Sequence, residues 1–390
     1  MMSVCLLIIL PVALRVNVHD VSSLKVAIVD DYLTVDGGAQ KALREVHAMW
    51  PNAPVYTVTY FPEKFTPPLT DWDIRTSWVS RLLFSRTFEQ QYKIFYPCAI
   101  ESLVIEGYDL VISSTYAGYS KAIILPPETM HISWVHTVPR YLWGYRTSRH
   151  ERVHWLYKKL ILPPLEHYWR IWDRQTSRRP DYIVTNSQNI ADRVQKSYRR
   201  EASVLYPPVA IDDLLELPVS SGDYFIYFGR LEKYKCVDMA IRACIAAGQK
   251  IKIIGTGSYE QELRDLVKEE QADDVVEFMG WMVGQKLHKQ IAGAKAFIFP
   301  GPDEDFGMVM VESLAAGTPV IAFDLGGARE ILEDGVTGVV IKTFSQEALN
   351  DVVSSFDPKQ YRVAACRKRS RDFGAQAFRD RLTRFIAEIM

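Results

Sequence analysis

The sequence predicts an α/β protein built on parallel sheets, and three observations carry that prediction. Residues 296–341 read as strand, helix, strand, helix. An apolar run at 297–299 precedes helical spacing of Met308, Val311, Leu314 and Ala315, then a second apolar run at 320–323 and a short helix over about 328–332. Similar runs recur at 24–29, 108–114, 130–135, 181–187, 224–230, 252–258 and 275–282. Strands that alternate with helices imply a parallel sheet whose strand ends carry the ligand loops. The length of 390 residues at 48% apolar content is enough for two or three domains with real cores.

Taken in order, residues 4–14 form an apolar run broken by Pro11, too short to span a bilayer. No basic residue precedes it and no small-residue cleavage site follows, so residues 1–23 are expected to be a leader or a weak membrane-touching segment. The strand at 24–29 ends in Asp30-Asp31 and leads through TVDGGAQ into a helix at about 39–49. A strand, a glycine loop and a helix make an anion-approach geometry, which marks Gly37 and Gly38; the same pair also suits a plain turn. The strand at 130–135 delivers His136 at its C-terminal end, where α/β sheets meet ligands.

Residues 140–180 differ in character. Ten Lys or Arg stand against Glu151, Glu166 and Asp173, interleaved with four Trp and four Tyr. Such a stretch suits either the surface of an anionic bilayer or a helical pair with aromatic faces inward and a solvated basic face. A strand at 181–187 then ends in an Asn-Ser cap, a helix covers 189–198, and the strand at 204–209 stiffens into Pro207-Pro208.

The run at 224–230 opens a second sheet. Arg230 sits at its end with Lys235 five residues on, two cations able to neutralise a developing negative charge or, equally in kind, two solvated bases in a charged loop. The strand at 252–258 carries Gly255 in a glycine loop, but Glu260 stands where a nicotinamide-cofactor fingerprint has its third glycine. The strand at 275–282 ends at Met282. The turn at 300–305 holds Asp303, Glu304 and Asp305, and Gly307 leaves a bare helix N-terminus suited to a diphosphate. Glu304 and Glu312 are separated by seven residues. Carboxylates accept from paired hydroxyls, so these two could hold a sugar and a ribose; alone, acids at a turn and a helix start are also ordinary surface chemistry. Gly317 ends the helix and Pro319 prevents its return. The chain beyond 342 reads as helices, the last with Phe378, Leu382, Phe385 and Ile386 near helical spacing.

PDEDFGMVMVE, followed by SLAAGTPVIA and GGAREILEDGVTG, resembles the retaining GT-B glycosyltransferases of family GT4. Residues 230–235, GRLEKYK with Gly229, resemble the family's GRL-x3-K signature. Residues 136–143 are similar to the His-Thr-Pro-x-Arg-Tyr segment of O-antigen and surface-polysaccharide mannosyltransferases, with the proline one place later at Pro139. The resemblance implies two Rossmann-like doubly wound domains facing each other across a cleft: an acceptor domain at 24–208, a nucleotide-sugar domain at 209–371, and a terminal helix at 372–390 crossing back. It implies catalytic roles for His136, Arg230, Lys235 and Glu304. It implies donor contacts from Gly37, Gly38, Gly255, Met282, Asp305, Phe306, Gly307, Met308, Val309 and Glu312. The donor it implies is a nucleotide-diphosphate sugar, GDP-mannose first, with UDP-glucose and UDP-N-acetylglucosamine open. The acceptor it implies is a glycan or lipid-linked glycan. It implies no requirement for a metal or other cofactor.

Composition narrows the rest. A net charge of −1 argues against nucleic acid as a partner. Cys5, Cys98, Cys236, Cys244 and Cys366 are scattered without metal-ligand spacing, and their odd number fits reduced thiols in a cytoplasm. A cytoplasmic protein is expected, peripheral on the inner face of a membrane if residues 140–180 touch lipid. The rival readings are a hydrolysing or epimerising enzyme of the same fold and a non-catalytic nucleotide-sugar-binding subunit.

Overall fold

A computed structural model describes residues 21–82, 87, 89–146, 159–219 and 222–390. The apolar run at 4–14 and the portion 147–158 of the basic aromatic stretch lie outside the described residues.

Two parallel sheets organise the chain. The first contains β1 (Val26–Asp30), β2 (Val55–Thr57), β3 (Ile74–Thr76), β4 (Leu110–Thr115), β5 (Met130–Val135), β6 (Tyr182–Thr185) and β7 (Ser203–Val204) in the order β3-β2-β1-β4-β5-β6-β7. The second contains β8 (Tyr224–Phe228), β9 (Lys250–Ile254), β10 (Val276–Gly280), β11 (Phe297–Phe299), β12 (Val320–Phe323) and β13 (Gly338–Ile341) in the order β10-β9-β8-β11-β12-β13. In each sheet the order reverses beside the first strand, between β1 and β4 and between β8 and β11. Those two reversals are where a doubly wound sheet opens a crevice at its strands' carboxyl ends.

Both faces of each sheet are covered, which is why the strands read as continuous apolar runs. In β1, Val26 and Ile28 pack on one side with Leu43 and Val46 of the helix Gly38–Met49, while Ala27 and Val29 pack on the other with Ala99 and Ile100 of the helix Tyr96–Glu101. The second sheet has its own core, from Phe225, Phe228 and Phe297 to Leu314 and Ile321.

The chain passes between the two sheets twice, at adjacent places: Val209 donates its N–H to the carbonyl of Phe373 at 2.9 Å. The helix Val363–Arg371 packs on the second domain's helix Met308–Ala315. The helix Ala375–Ile389 then lies on the first sheet. Phe378 stacks on Trp134 with ring centroids 5.1 Å apart, Leu382 and Ile386 join the same core, and Arg379 meets Glu45 at 2.6 Å.

Candidate functional site

The loops that follow β1, β8 and β11, three of the four strands flanking the two reversals, carry most of the residues singled out by sequence. After β1, Gly37 caps the helix Gly38–Met49 and its N–H donates to Gln40 Oε1 at 3.1 Å. A Cβ on Gly38 would lie 2.9 Å from the terminal methyl of Met308, so the glycine loop of the first domain faces the start of the helix Met308–Ala315 directly. One turn on, Lys41 comes within 3.8 Å of Glu312. Burial raises the Glu312 carboxyl above its usual range, and Lys41 opposes that shift.

After β8, Arg230 is exposed and donates to the hydroxyl of Tyr234 at 2.9 Å. Lys235 is mostly buried, and its ammonium pairs with the Glu304 carboxylate. Tyr234 lies under both Lys235 and Arg140, at 5.3 and 5.6 Å from its ring centre. After β11, Gly307 is the N-cap of the helix Met308–Ala315 at φ +101°, a conformation that suits glycine and leaves no side chain over the first N–H groups. Met308 and Val309 begin that helix, half-buried. Lys235, Glu304 and Gly307 adjoin one another in the second domain, and Gly38 and Lys41 of the first domain approach Met308 and Glu312 at the start of the helix that Gly307 caps. Among the described residues no group of three or more His, Cys, Asp or Glu is placed to hold a metal ion.

Two donor-contact candidates are committed elsewhere through their side chains. Phe306 is 2% exposed, between Tyr206 and Phe373. Asp305 accepts from Arg140 at 2.7 Å, Arg193 at 3.1 Å and Thr137 at 3.3 Å, all from the first domain. Gly255 serves loop packing: a Cβ there would meet the Gly229 carbonyl at 1.9 Å. Met282, half-buried, lies just past the end of edge strand β10.

His136 follows β5, as its strand-end position implies, but its ring is only 6% exposed and both nitrogens are engaged. Nε2 is 3.0 Å from Ser114 Oγ and Nδ1 is 3.1 Å from Asn186 Oδ1. Burial lowers its pKa to about 4, so the ring is neutral near pH 7. In this arrangement His136 has no ring nitrogen to offer a sugar unless one of these bonds opens.

The sequence reading missed a polar seam between the domains. Arg193 also pairs with Asp303, Arg140 donates to the Asp303 carbonyl at 3.0 Å, and Ser187 Oγ donates to the Asp305 carbonyl at 2.5 Å. Asn189 Nδ2 donates to the Glu304 carbonyl at 3.0 Å. The first N–H groups of the helix Gln188–Tyr198 donate to the Glu330 carboxylate, at 2.8 Å from Gln188 and 3.3 Å from Asn189. One signal was legible: Arg193 sits on the face that also carries Ile190, Val194 and Ser197, where a solvated arginine is out of place.

The basic aromatic stretch divides in two. On the helix Leu162–Thr176, Trp169 and Asp173 face inward, and Asp173 pairs with the buried Lys121 at 2.5 Å while accepting from Trp143 and Tyr198. The opposite side exposes Tyr168 and Ile171, with Leu160 and Ile161 just before the helix. Among the described residues no helix is long and apolar enough to cross a membrane.

Residues 217–373 match the family model for glycosyl transferases group 1. The chain is 23% identical over 328 residues to the UDP-N-acetylglucosamine–peptide N-acetylglucosaminyltransferase GtfA subunit of Streptococcus pneumoniae, covering 79% of this chain and 60% of that one. It is 25% identical over 206 residues to the O-antigen chain mannosyltransferase RfbU of Salmonella typhimurium, covering 49% and 58%. The matches span about half the length of such curated relatives. Among solved structures, Anabaena Alr3699/HepE in complex with UDP and glucose superposes with a TM-score of 0.66 at 18% identity, covering 94% of this chain and all of that one. The apo form of the lipopolysaccharide outer core galactosyltransferase WaaB gives 0.66 at 17%, with the same coverage. The fold is GT-B, with two Rossmann-like domains.

Proposed function

We propose that this chain, whose residues 217–373 carry a group 1 glycosyltransferase domain, moves a hexose from a nucleotide-diphosphate sugar to a hydroxyl of a glycan or lipid-linked glycan, with retention of anomeric configuration. The observation that supports it most is the convergence of Lys235, Glu304, the Gly307 helix end and Glu312 on one crevice faced by Gly38. A diphosphate there would take N–H groups from the helix end and positive charge from Lys235 and the exposed side chain of Arg230. Glu304 would accept from sugar hydroxyls and Glu312 from the ribose. The sequence shows no obvious enzyme nucleophile, so same-face attack assisted by the leaving phosphate is the proposed route. In this reading the two cations and the helix end stand where other transferases use a metal.

Mannose from GDP-mannose is the first donor assignment, in keeping with the RfbU match and the segment after His136. A UDP-sugar is the second, favoured by neighbours whose complexes contain UDP. Donor selection is tested by incubating the protein with GDP-mannose, UDP-glucose and UDP-N-acetylglucosamine, with and without glycan acceptors, and measuring nucleoside diphosphate release. Acceptor-dependent release supports transfer. Equal release without acceptor would mark a hydrolase, and binding with no release a non-catalytic subunit.

For a lipid-linked acceptor, the exposed side of the helix Leu162–Thr176 is the proposed membrane contact, on an inner, cytoplasmic face. Leu160, Ile161, Tyr168 and Ile171 are exposed there beside Lys159, Arg174 and Arg178, an apolar and basic combination suited to anionic lipid. Co-sedimentation with phosphatidylglycerol vesicles, lost in Tyr168→Glu/Ile171→Glu, would support it; equal sedimentation of wild type and variant would remove it.

A further inference from the structure

We propose that Arg140 and Arg193 are positioning residues which, by closing on Asp303 and Asp305, aim the intervening Glu304 carboxylate into the reaction crevice. The proposal rests on the transferase reading for what Glu304 does, but its geometry stands by itself. Residues 303–305 alternate in direction. Asp303 and Asp305 turn their carboxylates to the first domain, and Glu304 turns its own to Lys235 in the second. The two arginines come from different first-domain elements, the helix Arg140–Trp143 and the helix Gln188–Tyr198, so both must be in place for the clamp to form.

The clamp is well built. Arg193 is 8% exposed and forks across Asp303 and Asp305, one guanidinium nitrogen to each. Arg140 bridges the Asp305 carboxylate and the Asp303 carbonyl. Tyr145 lies against the Arg193 guanidinium at 4.4 Å from the ring centre, holding its plane. The backbone of Glu304 is fixed from both domains, its carbonyl accepting from Asn189 at 3.0 Å and from the Gly327 N–H at 3.3 Å. A peptide gripped at the residues on either side and at its own carbonyl has little freedom, so its side chain leaves in one direction. Opening the domains would release Asp303, Asp305 and the Asn189 contact together. Closure and carboxylate alignment are then one event, in the way that closing elements complete other active sites. A Lys at position 193 would lack the planar fork that spans two acceptors.

The test uses Arg193→Met, Asp303→Asn and the double variant in the full chain, with turnover, nucleotide affinity and solution X-ray scattering as readouts. Misalignment on the scale of an ångström costs about 10²-fold in rate. The expected result is a loss of roughly that size in kcat for each single variant, nucleoside diphosphate affinity changed less than about 3-fold, and a double variant no worse than the poorer single, since both act through one contact. Wild-type kcat in Arg193→Met would overturn the proposal. So would parallel losses of kcat, affinity and melting temperature, or additive losses in the double variant. Scattering separates this failure from failure of the transferase reading. If wild type turns over no nucleotide sugar, the clamp still requires Arg193→Met to have a larger radius of gyration, and an unchanged profile would overturn it.

Discussion

The Lys235 ammonium meets the Glu304 carboxylate inside the second domain's crevice, with less than a fifth of either side chain exposed. The proposed leaving-group cation and the proposed sugar-binding carboxylate thus hold each other in position. Lys235→Ala is expected to lower kcat by about 10²-fold, the usual cost of one transition-state contact. Donor affinity should stay within several-fold. Steady-state kinetics beside a binding titration checks the split, and unchanged turnover removes the leaving-group role.

The two glutamates should separate by kinetic signature. Glu304→Gln is expected to abolish most transfer while nucleotide still binds. Glu312→Gln, at the helix that faces Lys41, should weaken nucleoside diphosphate binding by roughly 10-fold, about the worth of one hydrogen bond to a charged group. Calorimetric titration of the nucleotide into both variants distinguishes them.

Glycine positions that look alike in sequence should behave differently. A Cβ on Gly38 would press only on the flexible end of Met308, so Gly38→Ala should fold with near-wild-type stability. A Cβ on Gly327 would sit 1.9 Å from the Phe306 carbonyl, against backbone that has no room to move. Gly327→Ala is expected to displace the loop carrying Glu304 and to lower the melting temperature, as thermal denaturation of the pair would reveal.

The legible and the illegible differ in kind. β8, β11 and β12 could be read because a strand buried on both faces must be apolar throughout. The turn at Gly317 could be read because its φ of +88° suits glycine. β2 and β3 are three residues each and β13 is a four-residue edge strand, too short to show a period. The seam left one trace, the inward face that carries Arg193, since its partner Asp303 stands 110 residues away and alone resembles a surface charge. For His136 the strand end was visible, but its partners Ser114 and Asn186 come from two other strands' ends.

Acid stability follows from two buried histidines. Burial lowers His136 to about 4 and His131 to about 3, both below the value near 6.5 of the unfolded chain. The unfolded state therefore binds more protons across that window. Their contribution is fully present above about pH 6.5 and is lost as pH falls toward 4. Asp30, Asp305, Glu312 and Glu330, raised by burial, act in the opposite sense, so the histidine contribution is read from the difference between wild type and variant. The melting temperature should fall from pH 7 to pH 4.5 in wild type and less steeply in His136→Gln; equal slopes would contradict the buried neutral ring.

The terminal helix should act as a strap between domains. Phe378 is fully buried against Trp134, and Phe378→Ala is expected to cost about 3–5 kcal/mol. Chemical denaturation should then resolve early loss of the first domain's packing, read from tryptophan fluorescence, since eight of the nine tryptophans precede residue 209.

The most direct measurement of the whole account is the melting temperature of the wild-type protein with GDP-mannose, UDP-glucose and UDP-N-acetylglucosamine in turn. A ligand present at 100 times its Kd adds about 2.7 kcal/mol of stability by mass action. At least one donor should raise the melting point in chelator as well as in buffer, and Glu312→Gln should blunt that rise. No shift with any nucleotide sugar, or equal shifts in wild type and Glu312→Gln, would contradict a donor site at this crevice.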